Sequence, residues 1–135
     1  MTLQASVAVR NAKLDAVEAT IGATAVLKIR TGAQPANCAA ADTGTVLATL
    51  TLPADWMAAA AAGAKAKAGA WQDTSADAAG TAAHFRLYES TGVTCGLQGS
   101  VTATGGGGDM TVDNVVFALA QQFTITGFTL TEGNA

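Results

Sequence analysis

Short runs in which apolar residues alternate with threonine recur along most of this chain. The clearest covers residues 45–52, and similar runs cover 85–88, 93–103 and 123–130. Successive side chains of a strand point to opposite faces of a sheet, so this period of two is typical of half-buried β-strands. Many short strands with glycine-rich turns favour an antiparallel β-sandwich or jelly roll over a parallel sheet. We therefore predict an all-β fold.

The chain length and the low charge content indicate the number of domains and the character of the surface. The 135 residues suffice for a single domain with its own core. Charged residues make up 13% of the chain, well below the usual share of about 25%. The surface must then be largely small and neutral, which suits a chain packed against copies of itself or a partner. A monomer covered by threonine hydroxyls is the alternative.

The distribution of charge and hydropathy excludes two kinds of partner. The seven basic residues are scattered and form no patch or stripe, so we expect no nucleic-acid partner. No apolar run approaches the roughly 18 residues of a membrane span, and the first residues lack the features of a secretory signal. We therefore expect no membrane partner, and folding in a cytoplasm.

The N-terminal segment predicts one short α-helix over about residues 8–21. Apolar residues recur there at steps of four and three, with Arg10 filling one slot: Leu3, Val7, Leu14, Val17 and Ile21. The other faces carry Asn11, Lys13, Asp15 and Glu18. Gly22 stands where a helix commonly ends. We divide the chain into an N-terminal arm and amphipathic helix, residues 1–22, and a β-sandwich or jelly-roll domain, residues 23–135. Packing across the sheet is the favoured role of the helix, with an intersubunit tether as the alternative.

Further along the chain, the pattern predicts a long loop and a hairpin. Residues 32–44 contain proline, asparagine and glycines without periodicity, and loops of this length often serve contact. The alternating runs 81–89 and 93–103, joined by a Ser-Thr-Gly turn, predict a β-hairpin.

An alanine-rich stretch lies between the two tryptophans, Trp56 and Trp71. We predict one short turn after Pro53 and then an extended edge strand. Its Lys65 and Lys67 would face solvent, where lysines guard an edge against unwanted pairing.

The last strand shows a slip in phase. Phe123 and Ile125 occupy odd positions, whereas Phe128 and Leu130 occupy even ones. Gly127 lies at the slip, which predicts a β-bulge there.

No cluster of residues matches a reaction site. His84 lacks the nucleophile and orienting acid of a hydrolytic triad, so we expect an exposed strand residue. Glycines 105–108 lack the lysine and helix of a phosphate loop and predict a flexible hairpin tip. The aspartate pairs at 73/77 and 109/113 do not reproduce a calcium-ligand ladder. We predict that the chain is not an enzyme and uses no cofactor or metal.

The two cysteines, Cys38 and Cys95, match no zinc or redox motif, which would need clustered pairs. A disulfide between them is one alternative. Because reducing compartments disfavour it, we prefer two independent, partly buried thiols.

Three phrases of the sequence resemble small virion structural proteins of tailed bacteriophages. They are RNAKLDAVEATIG at 10–22, LKIRTGAQPANCAAADTGTVLATLTLP at 27–53 and QGSVTATGGGGDMTVDN at 98–114. The resemblance spans nearly the whole chain. It implies a capsid cement or decoration protein, assembled in the host cytoplasm and bound to the major capsid protein as dimers or trimers. No catalytic residues are carried over from the group.

A neutral, threonine-rich sandwich suits attachment through many weak contacts that sum by avidity. We expect apolar contacts at Leu3, Val7, Trp56, Trp71 and Phe128. An alternative is a tail, neck or head-fibre component that binds host carbohydrate, which would expose tryptophans at loop tips. A third is an enzyme acting on polysaccharide, which would need a paired acid and base.

Overall fold

The computed structural model describes residues 3–134, which form one helix and a curled β-structure. In chain order the elements are α1 (Val7–Ile21), β1 (Val26–Arg30), β2 (Val46–Thr51), β3 (Ala64–Ala66), β4 (Trp71–Asp73), β5 (Gly80–Thr81), β6 (His84–Tyr88), β7 (Cys95–Ala103), β8 (Met110–Val112), β9 (Val116–Phe117) and β10 (Phe123–Thr131). The prediction of an all-β chain with one short N-terminal helix is confirmed.

Both ends of α1 are set by local chemistry. Ser6 caps the N-terminus, where its Oγ accepts a hydrogen bond from the Val9 N–H at 3.2 Å. Gly22 ends the helix with φ of +94°, and its N–H donates to the Glu18 carbonyl at 2.8 Å. The predicted bounds are correct to within a residue. The predicted apolar face is buried only in part: Leu14 is buried, Val17 and Ile21 are half-buried, and Val7 is exposed.

Eight of the strands form one sheet with the order β2-β1-β6-β7-β8-β10-β3, and β4 also pairs with β10. Strands β5 and β9 form a separate pair. The predicted hairpin is β6 with β7, paired antiparallel from His84 opposite Ser100 to Tyr88 opposite Cys95. Cα atoms of β2 and β4 approach within 8 Å, so the sheet curls back toward its own far side.

The glycine-rich stretch is not the hairpin tip that the sequence predicts. Strand β8 runs parallel to β7, with Val101 beside Met110. Residues 104–109 must therefore carry the chain from the end of β7 back to the level of Val101, so that β8 can run in the same direction as β7. Parallel neighbours usually need a connection of a dozen or more residues. The short connection depends on glycine, because a Cβ at Gly106 or Gly108 would lie 2.8 Å from Thr102 side-chain atoms.

The predicted bulge in the last strand is confirmed. The register of β10 on β8 shifts between Ile125 and Gly127. The shift lets Ile125 and Phe128, which differ in phase, both lie in the core at 1% and 4% exposure.

Candidate functional site

Three of the predicted contact residues lie in the core. Trp56, Trp71 and Phe128 are 0%, 1% and 4% exposed. Their rings form a continuous chain, with centroids 6.2 Å apart between the tryptophans and 5.7 Å between Trp71 and Phe128. The Phe85 ring continues it at 5.5 Å from Phe128. The expectation that these side chains are surface contact points is therefore corrected: large aromatic side chains gain more by filling the core between the strands.

The other two predicted contact residues are at the surface. Leu3 is 83% exposed and Val7 48% exposed, and the neighbouring Val9 is 49% exposed. The arm before α1 is held near the other end of the chain, because the Ala5 N–H donates to the Asn134 carbonyl at 2.6 Å. These exposed apolar side chains are available to a partner, and their role in an interface stays a prediction.

Three polar residues along one side of α1 bond to the rest of the protein, although the Asp15 side chain is also 52% exposed. Asn11, Asp15 and Glu18 are spaced by four and three residues, so they lie along one side of the helix. Their oxygens accept backbone N–H groups of the segment that precedes β3: Gly63 at 2.9 Å, Ala60 at 3.1 Å and Met57 at 3.1 Å, respectively. The helix thereby covers the outer edge of this segment, which would otherwise expose unpaired donors.

Lys65 ties the same two elements together and is buried, so the prediction that it faces solvent is wrong. Its side chain is 3% exposed, and Nζ lies 2.7 Å from Asp15 Oδ1 and 3.0 Å from Glu18 Oε2. Burial opposes its charge, but the two carboxylates outweigh that effect and raise the pKa of Lys65. The edge position of β3 itself is as predicted.

A second ionic cluster holds the long loop, residues 32–44, against β1 and β6. Asp42 accepts hydrogen bonds from Arg86, from Arg30 Nη2 at 2.8 Å and from the Tyr88 hydroxyl at 2.7 Å. The Arg86 guanidinium also donates to loop carbonyls, including those of Ala40 at 3.1 Å and Cys38 at 2.8 Å. A buried guanidinium with five donors thus organises a loop that has no regular structure.

The protonation of this cluster is biased toward the ion pairs. Burial opposes the charge on Asp42, but hydrogen bonds from Tyr88 and Arg86 and the charge of Arg30 prevail and lower its pKa. Burial and the hydrogen bond to Asp42 raise the pKa of Tyr88 to about 12. Tyr88 therefore remains a neutral donor and Asp42 an ionised acceptor at neutral pH.

His84 is a core residue, which corrects the expectation of an exposed strand residue. It is 1% exposed, and Nδ1 lies 2.9 Å from the Gly32 carbonyl oxygen. Burial on both faces of β6 explains the error, because every residue of this strand is buried and its alternation does not mark a solvent face.

The aspartates of the two predicted pairs accept hydrogen bonds from nearby backbone and hydroxyl groups. Asp109 Oδ2 accepts from both the N–H and the hydroxyl of Ser100 at 2.9 Å, and Asp113 accepts from the Thr124 N–H at 3.1 Å. Asp73 accepts from the Ser75 N–H at 2.9 Å. Within residues 3–134 no group of three or more His, Cys, Asp or Glu side chains is placed to hold a metal ion.

Comparison of the chain with protein-family models, curated proteins and solved structures gives no match. In the described part of the chain, no helix combines the length and apolar character needed to span a membrane. What the sequence resemblance implies about function therefore stays a prediction.

Sequence reasoning missed both polar clusters, although each left a signal. The spacing of Asn11, Asp15 and Glu18 marks a helical stripe of acceptors, which we read as a solvated face. Arg86 and Tyr88 alternate with apolar residues on β6, which we read as the outer face of a half-buried strand. The loop that covers this face could not be placed from its own composition.

Proposed function

We propose that this chain is a bacteriophage virion structural protein, a cement or decoration protein that binds the major capsid protein in many copies on the head surface. The observation that carries this proposal is a set of exposed apolar side chains in the N-terminal arm and the first turn of α1. Leu3, Val7 and Val9 are 83%, 48% and 49% exposed, and burying such side chains against a partner is favourable.

The ion pairs made by the charged side chains support a structural role. Asp15, Glu18 and Lys65 attach the helix to the sheet edge, and Asp42 and Arg86 attach the long loop. These groups are engaged in holding the fold. We accordingly propose no catalytic role, cofactor or metal for this chain.

The finer architecture belongs to the same proposal. A β-sandwich or jelly roll would result if the curl that brings β2 near β4 divides the sheet into two facing layers. Self-association as a dimer or trimer would then give a symmetric unit that matches the repeated sites of a capsid lattice. Many weak contacts would sum through avidity.

The experiment that tests the function is a rebinding assay on heads that lack this chain. Purified protein is added to such heads, and its position and occupancy are read from an electron cryomicroscopy reconstruction. We expect density at symmetry-equivalent sites over the head. The double variant L3S/V7S should bind at least about tenfold more weakly, because two apolar side chains lose their burial.

Val93→Ser is the matched control, since Val93 is 77% exposed and lies in the turn between β6 and β7. It should bind like the unmodified chain. Density confined to the tail tip or portal would overturn the proposal, as would full occupancy by L3S/V7S.

The alternative, a tail, neck or head-fibre component that binds host carbohydrate, lacks a supporting observation. This alternative predicts tryptophans at exposed loop tips, whereas Trp56 and Trp71 are 0% and 1% exposed. Binding of the isolated chain to a glycan array would restore it.

A further inference from the structure

The two cysteines, far apart in sequence, meet in the fold. Cys38 lies in the loop of residues 32–44, and Cys95 is the first residue of β7. Both thiols are free, partly exposed and line the same hollow of about 550 Å³. Contact with Cys38 is among the causes that raise the pKa of Cys95, so the two side chains lie next to each other. Both thiols are free and partly buried, as the sequence-based preference has it, but the fold does not keep them apart.

The surrounding contacts hold both cysteines in place from one strand. Arg86 of β6 donates from Nη2 to the Cys38 carbonyl at 2.8 Å. Tyr88, two residues further along β6, pairs with Cys95 in the β6–β7 ladder. The Asp42 cluster fixes the rest of the loop over the same strand. A disulfide requires neighbouring side chains, and here both cysteines are held against β6 at the same hollow.

We propose that Cys38 and Cys95 form an intramolecular disulfide when the protein meets a low-molecular-weight disulfide oxidant, locking the loop of residues 32–44 onto β7. A small disulfide suffices as the oxidant, because thiol–disulfide exchange needs no metal or enzyme. This inference is independent of the proposed function.

The exchange balances in two steps. The Cys38 thiolate attacks one sulfur of glutathione disulfide, forming a mixed disulfide and releasing one glutathione thiolate, which takes up a proton. The Cys95 thiol then loses its proton and attacks Cys38 Sγ, breaking the mixed disulfide and releasing the second glutathione. Two protein thiols are oxidised and one glutathione disulfide is reduced to two thiols.

The second step should depend steeply on pH. Burial is the largest cause that raises the pKa of Cys95, it does not depend on the Cys38 thiol, and the nearby Arg86 guanidinium opposes the rise only in part. Only the thiolate attacks. Ring closure should therefore accelerate about tenfold per pH unit between roughly pH 7 and 9.

The test uses the whole purified chain, reduced and then incubated with glutathione disulfide at pH 8. We expect a product lighter by two hydrogens, without glutathione and with neither thiol open to maleimide. Its melting temperature should rise by roughly 5–15 °C, and a dithiol reductant should reverse the rise.

The single variants C38S and C95S are the matched controls. C95S should stop at a stable glutathione adduct, whereas C38S, which keeps only the mostly protonated Cys95 thiol, should react far more slowly. Neither variant should show the rise in melting temperature. A persistent adduct on the unmodified chain, two thiols that stay open to maleimide, or a dimer linked between chains would each overturn the proposal.

Discussion

The carboxylate of Glu89 accepts four hydrogen bonds from the turn between β6 and β7. It accepts from the Thr91 hydroxyl at 2.5 Å and from the N–H groups of Thr91, Val93 and Thr94 at 2.6, 3.0 and 2.9 Å. The turn therefore keeps its shape without burial. The same use of a carboxylate for backbone donors recurs at Asp109.

At the residue scale, the first prediction concerns the titration of Glu89. The Thr91 hydroxyl and the three N–H groups lower its pKa from 4.5 to about 2. Because the folded value is depressed, the stabilisation is complete above pH 4.5 and is lost as pH falls through about 2. NMR titration of the carboxyl carbon should show a midpoint near pH 2, and Thr91→Val should move it upward.

Thr94→Val is the matched control for this titration, since Thr94 contributes its backbone N–H, which valine retains. Its midpoint should match that of the unmodified chain. A midpoint near 4.5 in the unmodified chain would contradict the hydrogen-bonded turn.

The second prediction at this scale is that Asp42→Asn destabilises the fold. Arg30 and Arg86, with side chains 8% and 2% exposed, would lose their counter-charge. Asp42 itself is 39% exposed, so solvent screening keeps the loss below that of a fully buried pair, at about 2–3 kcal/mol of unfolding free energy. Chemical denaturation of both proteins at pH 7 measures it.

Asp55→Asn is the control for that measurement, because Asp55 is exposed and should change stability by less than about 0.5 kcal/mol. The pKa of Asp42 is below its ordinary 3.8, so the stabilisation is complete above that pH and is lost as pH falls through the folded value. Equal stability of the two variants at pH 7 would show that the cluster contributes nothing.

At the element scale, α1 works as an edge cover. Its apolar side contributes Leu14 to the core, and Ile21 packs closely on Gly96, where a Cβ would lie 2.6 Å from the isoleucine side chain. Its polar side accepts three N–H groups of the segment that precedes β3. The helix is thus attached on two sides, which explains why few of its apolar residues need burial.

Lys65→Met tests this attachment. Methionine preserves most of the apolar length but leaves Asp15 and Glu18 without their cation. We expect amide hydrogen exchange in α1 to accelerate about tenfold, as for the loss of roughly 1.5 kcal/mol in charged hydrogen bonds, while β1 and β6 stay protected.

Lys67→Met provides the comparison, since Lys67 Nζ donates only to the nearby Gly69 carbonyl at 2.8 Å. Exchange in α1 should be unchanged in that variant. Equal acceleration in every strand of the Lys65→Met protein would mean global destabilisation and would contradict a local role.

At the scale of the whole molecule, the parallel pair of β7 and β8 joins two antiparallel groups. One contains β2, β1, β6 and β7, and the other contains β8, β10, β3 and β4. The aromatic chain crosses between them, from Phe85 on β6 to Phe128 on β10 and on to Trp71 on β4. The core therefore depends on both groups, which accounts for the burial of side chains that we expected at the surface.

The sequence by itself determined the local elements of this protein. The helix bounds follow from a capping serine and a terminal glycine, the hairpin from alternation and its turn, and the bulge from the phase slip at Gly127. Each of these depends on residues close together in the chain, whose preferences act before any tertiary contact forms. Leu3 and Val7 are exposed, and their contact with a partner stays a prediction.

The tertiary structure alone decided which elements became neighbours. The burial of Trp56, Lys65 and His84 and the meeting of Cys38 with Cys95 all depend on contacts between distant segments. Side-chain periodicity gives the face on which a residue lies, but it does not tell whether solvent, a loop or a helix covers that face. Whether a polar residue was exposed or bonded therefore depended on the order of the strands and on the path of the long loop.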